Sequence, residues 1–215
     1  MKMSRLLNVR CLLFAAALQL VLSLVPTVSA PQSSRGSADD AKIMADSIVV
    51  WLNQQKYSRV SSVLNYPPSY TKQQLADDKV STAGGLKLIS TNLGKLVDIK
   101  PRTGVWVSLS YELSMMGGTI EYWNSLSPMK TNDYTYPGKF ERFGKGCIVV
   151  RFVKIQSKWQ AATILFELDS KVPGSRSRAI DIMCDLYRQD AQGQSLPPDL
   201  REQVSASIPD YSAKK

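Results

Sequence analysis

Apolar residues recur at helical spacing through the first half of the chain and at a spacing of two through much of the second. Met44, Ile48, Trp51 and Leu52 share one face of a helix, and Ser37 with Asp40 three residues on has the form of an N-cap followed by a first-turn acid. Tyr57, Val60, Val63 and Leu64 continue the stripe into a short second helix that Pro67-Pro68 must stop. Thr71 and Gln74 have the spacing of a capping box opening a third stretch. Gly84-Gly85 is expected to break that stretch, and Leu86, Ile89 and Leu93 rebuild it up to Gly94, a C-terminal glycine; one bent helix and two helices both fit.

After Pro101 the period is two. Val105, Val107, Leu109, Tyr111, Leu113 and Met115 alternate with Trp106, Ser108, Ser110, Glu112 and Ser114, as a strand covered on one face requires. Gly117-Gly118 reads as a hairpin turn and Thr119 to Leu126 as the returning strand. Ser127 to Arg142 reads as a polar loop, Cys147 to Ile155 as an apolar strand, Gln156 to Lys158 as a turn, and Trp159 to Leu168 as the antiparallel partner. Ile180, Met183, Cys184 and Tyr187 mark a last amphipathic helix. Helices followed by antiparallel strands make an α+β order: N-terminal helices packed on a curved antiparallel sheet, plus a C-terminal helix.

The N-terminus changes where this domain is expected to work. Lys2, Arg5 and Arg10 precede or open an apolar run from Cys11 to Val25, and the small residues Val28, Ser29 and Ala30 follow, the layout of a secretory signal. The run is short of the 20 or so residues a spanning helix needs. Cleavage after Ala30 fits the small-residue rule, Pro31 is a poor neighbour for it, and an uncleaved anchor is the competing reading. The expected organisation is a signal peptide over 1–30, a flexible leader over 31–37, the domain over 38–190 and a loosely packed tail over 191–215, in an exported protein of the periplasm or extracellular space. Losing three basic residues and no acid takes the net charge from +9 to +6. Such a surface favours anionic partners through a screened field. Cys147 and Cys184 remain, as one disulfide or as buried packing residues.

The opening helix with Trp51 and Leu52, the step Gln54-Gln55-Lys56-Tyr57, the strand Phe143 to Val150 and the turn Gln156-Ser157-Lys158-Trp159-Gln160 resemble the NTF2-like superfamily, in particular its small exported bacterial members of unknown function. The resemblance covers about Ser37 to Leu168 and implies a cystatin-like cone, a curved sheet wrapped around helices, whose open end takes a small apolar ligand or a partner. The helix from about Ser175 to Asp190 and the tail beyond it depart from a minimal member.

The chain has no histidine. Ser-His-Asp and Cys-His nucleophile systems, histidine metal sites and histidine-containing acid/base dyads are therefore excluded. Neither glycine pair has phosphate-loop or dinucleotide spacing, and no cofactor is implied. A carboxylate raised by an apolar cone could still serve as a lone general base, with Asp98, Glu112, Glu121 and Glu167 as candidates, or a tyrosine could act on a hydrophobic substrate. Alternation turns Glu112 toward solvent. Trp51, Trp106, Tyr111, Tyr122 and Trp123 are the candidate lining of a ligand cavity, with core packing an equal explanation for Trp51 and Tyr111. Lys130 to Lys145 interleaves Tyr134, Tyr136, Phe140 and Phe143 with Lys139, Arg142 and Lys145, a mix suited to single-stranded nucleic acid, which an exported protein seldom meets. The leading expectation is an exported noncatalytic binding domain for a partner protein or a small apolar ligand. An enzyme using a lone carboxylate or tyrosine is the alternative, and a basic protein held to the anionic envelope is a third. A homodimer is compatible with all three.

Overall fold

A computed structural model describes residues 38–100, 109–126, 129–191 and 194–211. Its element order is α1 (Ala38–Asn53), α2 (Tyr57–Val63), α3 (Lys72–Leu93), β1 (Leu96–Val97), β2 (Ser110–Met116), α4 (Ile120–Ser125), β3 (Thr131–Phe140), β4 (Gly144–Ile155), β5 (Lys158–Asp169), α5 (Ser175–Asp190) and α6 (Leu200–Ser207). The fold is α+β, with six helices among the described residues and one open five-stranded antiparallel sheet in the order β1-β3-β4-β5-β2.

The sheet has one apolar face, and the helices cover it. Leu113, Ile148, Val150, Phe152, Ile164, Phe166 and Leu168 are buried in the same cluster as Ile48 and Leu52 of α1 and Leu86, Ile89 and Leu93 of α3. Alternation sends Cys147, Val149 and Leu165 to the opposite face, where they form a cluster of their own. Strands β4 and β5 meet at Gln156 and Ser157, with φ of 47° and 67°, the two left-handed residues that a tight hairpin needs to match strand twist. Asn53 at the end of α1 imitates a strand neighbour: its Nδ2 donates to Leu96 O at 2.9 Å and its Oδ1 accepts from Leu96 N at 3.0 Å. Tyr136 of β3 ties the sheet to α1 by donating to Asp46 Oδ1 at 2.7 Å.

Several local expectations are corrected. Gly84-Gly85 does not break α3, which runs uninterrupted from its Thr71–Gln74 capping box to Gly94. A Cβ on Gly84 would collide with Gln189 of α5, and one on Gly85 with Met115 of β2. The pair thus lets two other elements approach the helix. Thr119 to Leu126 is not a returning strand. Thr119 accepts a hydrogen bond from Tyr122 N and caps α4, Trp123 Nε1 closes the turn onto Gly117 O at 2.8 Å, and β2 pairs instead with β5. The polar stretch 127–142 contains β3, whose Tyr134 meets Phe152 edge-on at 5.6 Å and whose Phe140 is buried. Phe140 belongs to the core, and Tyr134, Tyr136 and Phe143 pack against it partly buried. Leu109, expected on the covered face, precedes β2 and is 49% exposed.

In the described tail residues 194–211, several side chains contact the domain. Leu200 and Val204 of α6 are buried against Ile180 and Cys184 of α5, Arg176 Nη2 donates to Ser205 O at 2.7 Å, and Tyr211 lies 5.3 Å from Tyr111 between ring centroids. No disulfide links Cys147 and Cys184, and both are buried, the second of the two readings. The first sits in the far-face cluster and the second between α5 and α6.

Candidate functional site

Helix α3 turns Asp78, Ser81, Thr82 and Gly85 to one side, at the i, i+3, i+4 and i+7 positions of a single face. Helix α5 answers with Met183, Leu186, Tyr187 and Asp190 at the same kind of spacing. Between them lies strand β2, which contributes Met115 and Met116, and the start of α4 adds Thr119 and Ile120. Together these elements line a cleft of about 440 Å³.

The second cleft, of 390 Å³, lies at the other end of the helices, between the ends of α1 and α3 and the edge strand β1. Burial separates the two. Leu52, Leu96, Phe140, Ile148 and Phe166 behind the second cleft are already buried in the core, and its outer wall carries Asn53, Thr91, Lys87, Lys95 and Arg142. The first cleft keeps apolar side chains within reach: Met115, Met116, Met183 and Leu186 are half-buried, Tyr187 is 50% exposed and Ile120 is 63% exposed. Unbranched thioethers adapt to irregular shapes, which suits them to a binding surface.

The electrostatics of the first cleft are one-sided. Among the described residues its charged lining is Asp78, Glu112 and Asp190, with no lysine or arginine. Ser81 Oγ donates to Asp190 Oδ1 at 3.1 Å. Asp78 is hydrogen-bonded by Tyr70, yet its Oδ2 is buried with no hydrogen-bond partner. Just behind it, burial pushes the Tyr66 phenol up to about 12, against a hydrogen bond with Thr82 that works the other way. Glu112 stands directly across the strand pair from Glu167. Desolvation raises the Glu112 carboxyl above its ordinary value, the Arg151 charge opposes this, and the Glu167 charge adds to it. On the same face Cys147 Sγ donates to Glu167 Oε2 at 3.0 Å and Arg151 holds Asp133 through two hydrogen bonds.

The structure scatters the aromatic residues singled out from sequence. Trp51 is buried on α1 beneath the Arg59 guanidinium, 4.3 Å from the ring centroid. Tyr111 is buried on β2, while Tyr122 and Trp123 on α4 meet with tilted rings, centroids 4.9 Å apart. None of these four lines either cleft, and Trp106 lies outside the described residues. Of the four carboxylates, only Glu112 reaches a cleft; Asp98 is exposed after β1, Glu121 is in the first turn of α4 and Glu167 is on the far face of the sheet. Met115, Met183 and Tyr187 were visible in sequence only as parts of apolar stripes. Their convergence depends on the pairing of β2 with β5 and on the approach of α5 to α3. Among the described residues no group of three His, Cys, Asp or Glu is arranged to hold a metal.

The fold and cleft define an α+β protein with a methionine-lined, acid-rimmed cleft. The chain matches no protein-family model, and no curated protein or solved structure shows significant similarity to it.

Proposed function

We propose that this is an exported, noncatalytic binding domain of NTF2-like type whose ligand, a small apolar molecule, occupies the cleft between α3, β2 and α5. One observation carries the reading: four half-buried and two exposed apolar side chains converge on a single 440 Å³ concavity. That volume falls in the range of small-molecule sites, which are apolar with a few placed polar groups. The order of helices and antiparallel strands supports the superfamily reading, and the short basic-apolar-small N-terminus supports export. The enzymatic alternative keeps one support, the raised carboxyl of Glu112 at the cleft edge.

The test is a titration of the processed protein with Nile red, an uncharged apolar fluorophore. Saturable one-to-one binding is expected, weakened about threefold or more by Ile120→Ala and by Tyr187→Ala, since each removes exposed apolar surface from the cleft. Absence of saturable binding, or binding indifferent to both variants, would refute the assignment. Sequencing of the secreted chain's N-terminus, expected at Pro31, checks export separately.

A further inference from the structure

We infer that the ligand of this cleft is an organic cation, an alkylammonium or quaternary ammonium group on an apolar body; this rests on the cleft being the binding site. The charge pattern is the first ground. A chain with a formal charge of +9 gathers Asp78, Glu112 and Asp190 around this concavity, and among the described residues no basic side chain lines it. Asp46, Asp133, Asp169, Asp181 and Asp185 each hold a lysine or arginine in an ion pair, whereas none of the three cleft acids takes part in an ion pair among the described residues. Asp78 has in addition a buried Oδ2 without a hydrogen-bond partner.

Two further features favour the same charge. Asp190 is the last residue of α5, so the carbonyl end of a 16-residue helix, which carries partial negative charge, lies beside the cleft, Arg188 of the same turn being paired with Asp185. The single turn of α4 starts at the opposite side with its amide end, but Thr119 and first-turn Glu121 already occupy those donors. The exposed ring of Tyr187 supplies an aromatic face, and cations, quaternary ammonium groups above all, are attracted to such faces. The methionines then receive the apolar body, and the ligand cation places its charge beside Asp78 and Asp190, Glu112 already lying in the field of Arg151.

The experiment is displacement of Nile red from the processed protein by octyltrimethylammonium, octanol and octanoate, each far below micellar concentration. The cation should bind about tenfold more tightly than the alcohol, a factor corresponding to one well-placed charge interaction, and the carboxylate more weakly than both. The triple variant Asp78→Asn/Glu112→Gln/Asp190→Asn should reduce the preference to about twofold or less while leaving octanol affinity unchanged. Should the triple variant unfold, the double variant Glu112→Gln/Asp190→Asn, confined to exposed side chains, should at least halve the preference. Asp181→Asn/Asp185→Asn, outside the cleft, should leave it intact. Equal displacement by cation and alcohol, or a preference that survives removal of the cleft acids, overturns the inference while leaving the apolar site standing. Failure of Nile red itself to bind takes down the site and the inference together.

Discussion

Gly85 of α3 faces Met115 of β2 with no room between them for a side chain: a Cβ on the glycine would lie 2.9 Å from Met115 Sδ and nearer still to its terminal methyl. Because the obstacle is the end of a flexible side chain, Gly85→Ala should fold. The gain in helix propensity, about 1 kcal/mol, offsets the disturbance of Met115, so thermal stability should stay within about 1 kcal/mol of the parent. The displaced thioether should enter the cleft and weaken Nile red binding severalfold, which melting curves and titration of the same sample would reveal.

Gly146 of β4 gives the opposite outcome. A Cβ there would meet the Glu167 carbonyl and lie 2.7 Å from the Phe140 ring, neither of which can swing away. Gly146→Ala should lose about 1–3 kcal/mol in urea denaturation, the usual cost of overpacking a closed core. A stability equal to the parent would contradict the packing of Phe140 on this strand.

Tyr136→Phe removes the hydrogen bond from β3 to Asp46 and should cost about 1 kcal/mol at neutral pH. Burial raises the Asp46 carboxyl, but the hydrogen bonds from Lys42 and Tyr136 outweigh it and leave the group below its ordinary 3.8. A depressed folded-state value means a contribution that is present above pH 3.8 and is lost as the pH falls through the folded value. The variant should therefore lose less stability between pH 5 and pH 2 than the parent, as followed by acid titration of the circular dichroism signal.

Glu112 works with the reverse sign. Desolvation holds its carboxyl above the ordinary 4.5, so its stabilising contribution is full below that pH and disappears as the pH rises through the folded value. Glu112→Gln should flatten the decline in urea midpoint from pH 4 to pH 7 and add about 0.5 kcal/mol or less at pH 7, the scale of a screened surface charge. An unchanged slope would place the decline elsewhere.

Cys147 and Cys184 should both resist a thiol reagent in the native processed protein and both react in denaturant, giving two thiols per chain. Reductant should leave the melting temperature unchanged. A disulfide would instead give no thiols in denaturant and a melting temperature that falls on reduction.

The outline of the architecture was legible in the chain because periodicity reports burial directly. The stripe Met44-Ile48-Trp51-Leu52 and the alternation through Tyr111 and Leu113 had to be covered, and they are. Local capping chemistry was equally readable at Thr71–Gln74 and at Gly94. Thr119 was the exception: its capping role was hidden by the neighbouring Gly117-Gly118, which looks like a hairpin turn when no pairing partner is known. The strand from Thr131 to Phe140 was missed because Pro137, Gly138 and several polar residues mask its alternation, which pairing with β4 overrides.

What the sequence determined by itself was the chemical inventory, a histidine-free basic chain, and the set of faces that must be buried. Only the tertiary structure decided which residues share a site. Met115 and Tyr187 are 72 residues apart along the chain, and nothing local relates them; β2 pairing with β5 and two adjacent glycines that admit α5 and Met115 to α3 bring them to one cleft. Long-range pairing is an interaction between distant segments, so its consequences for a binding surface cannot be read from any window of the sequence.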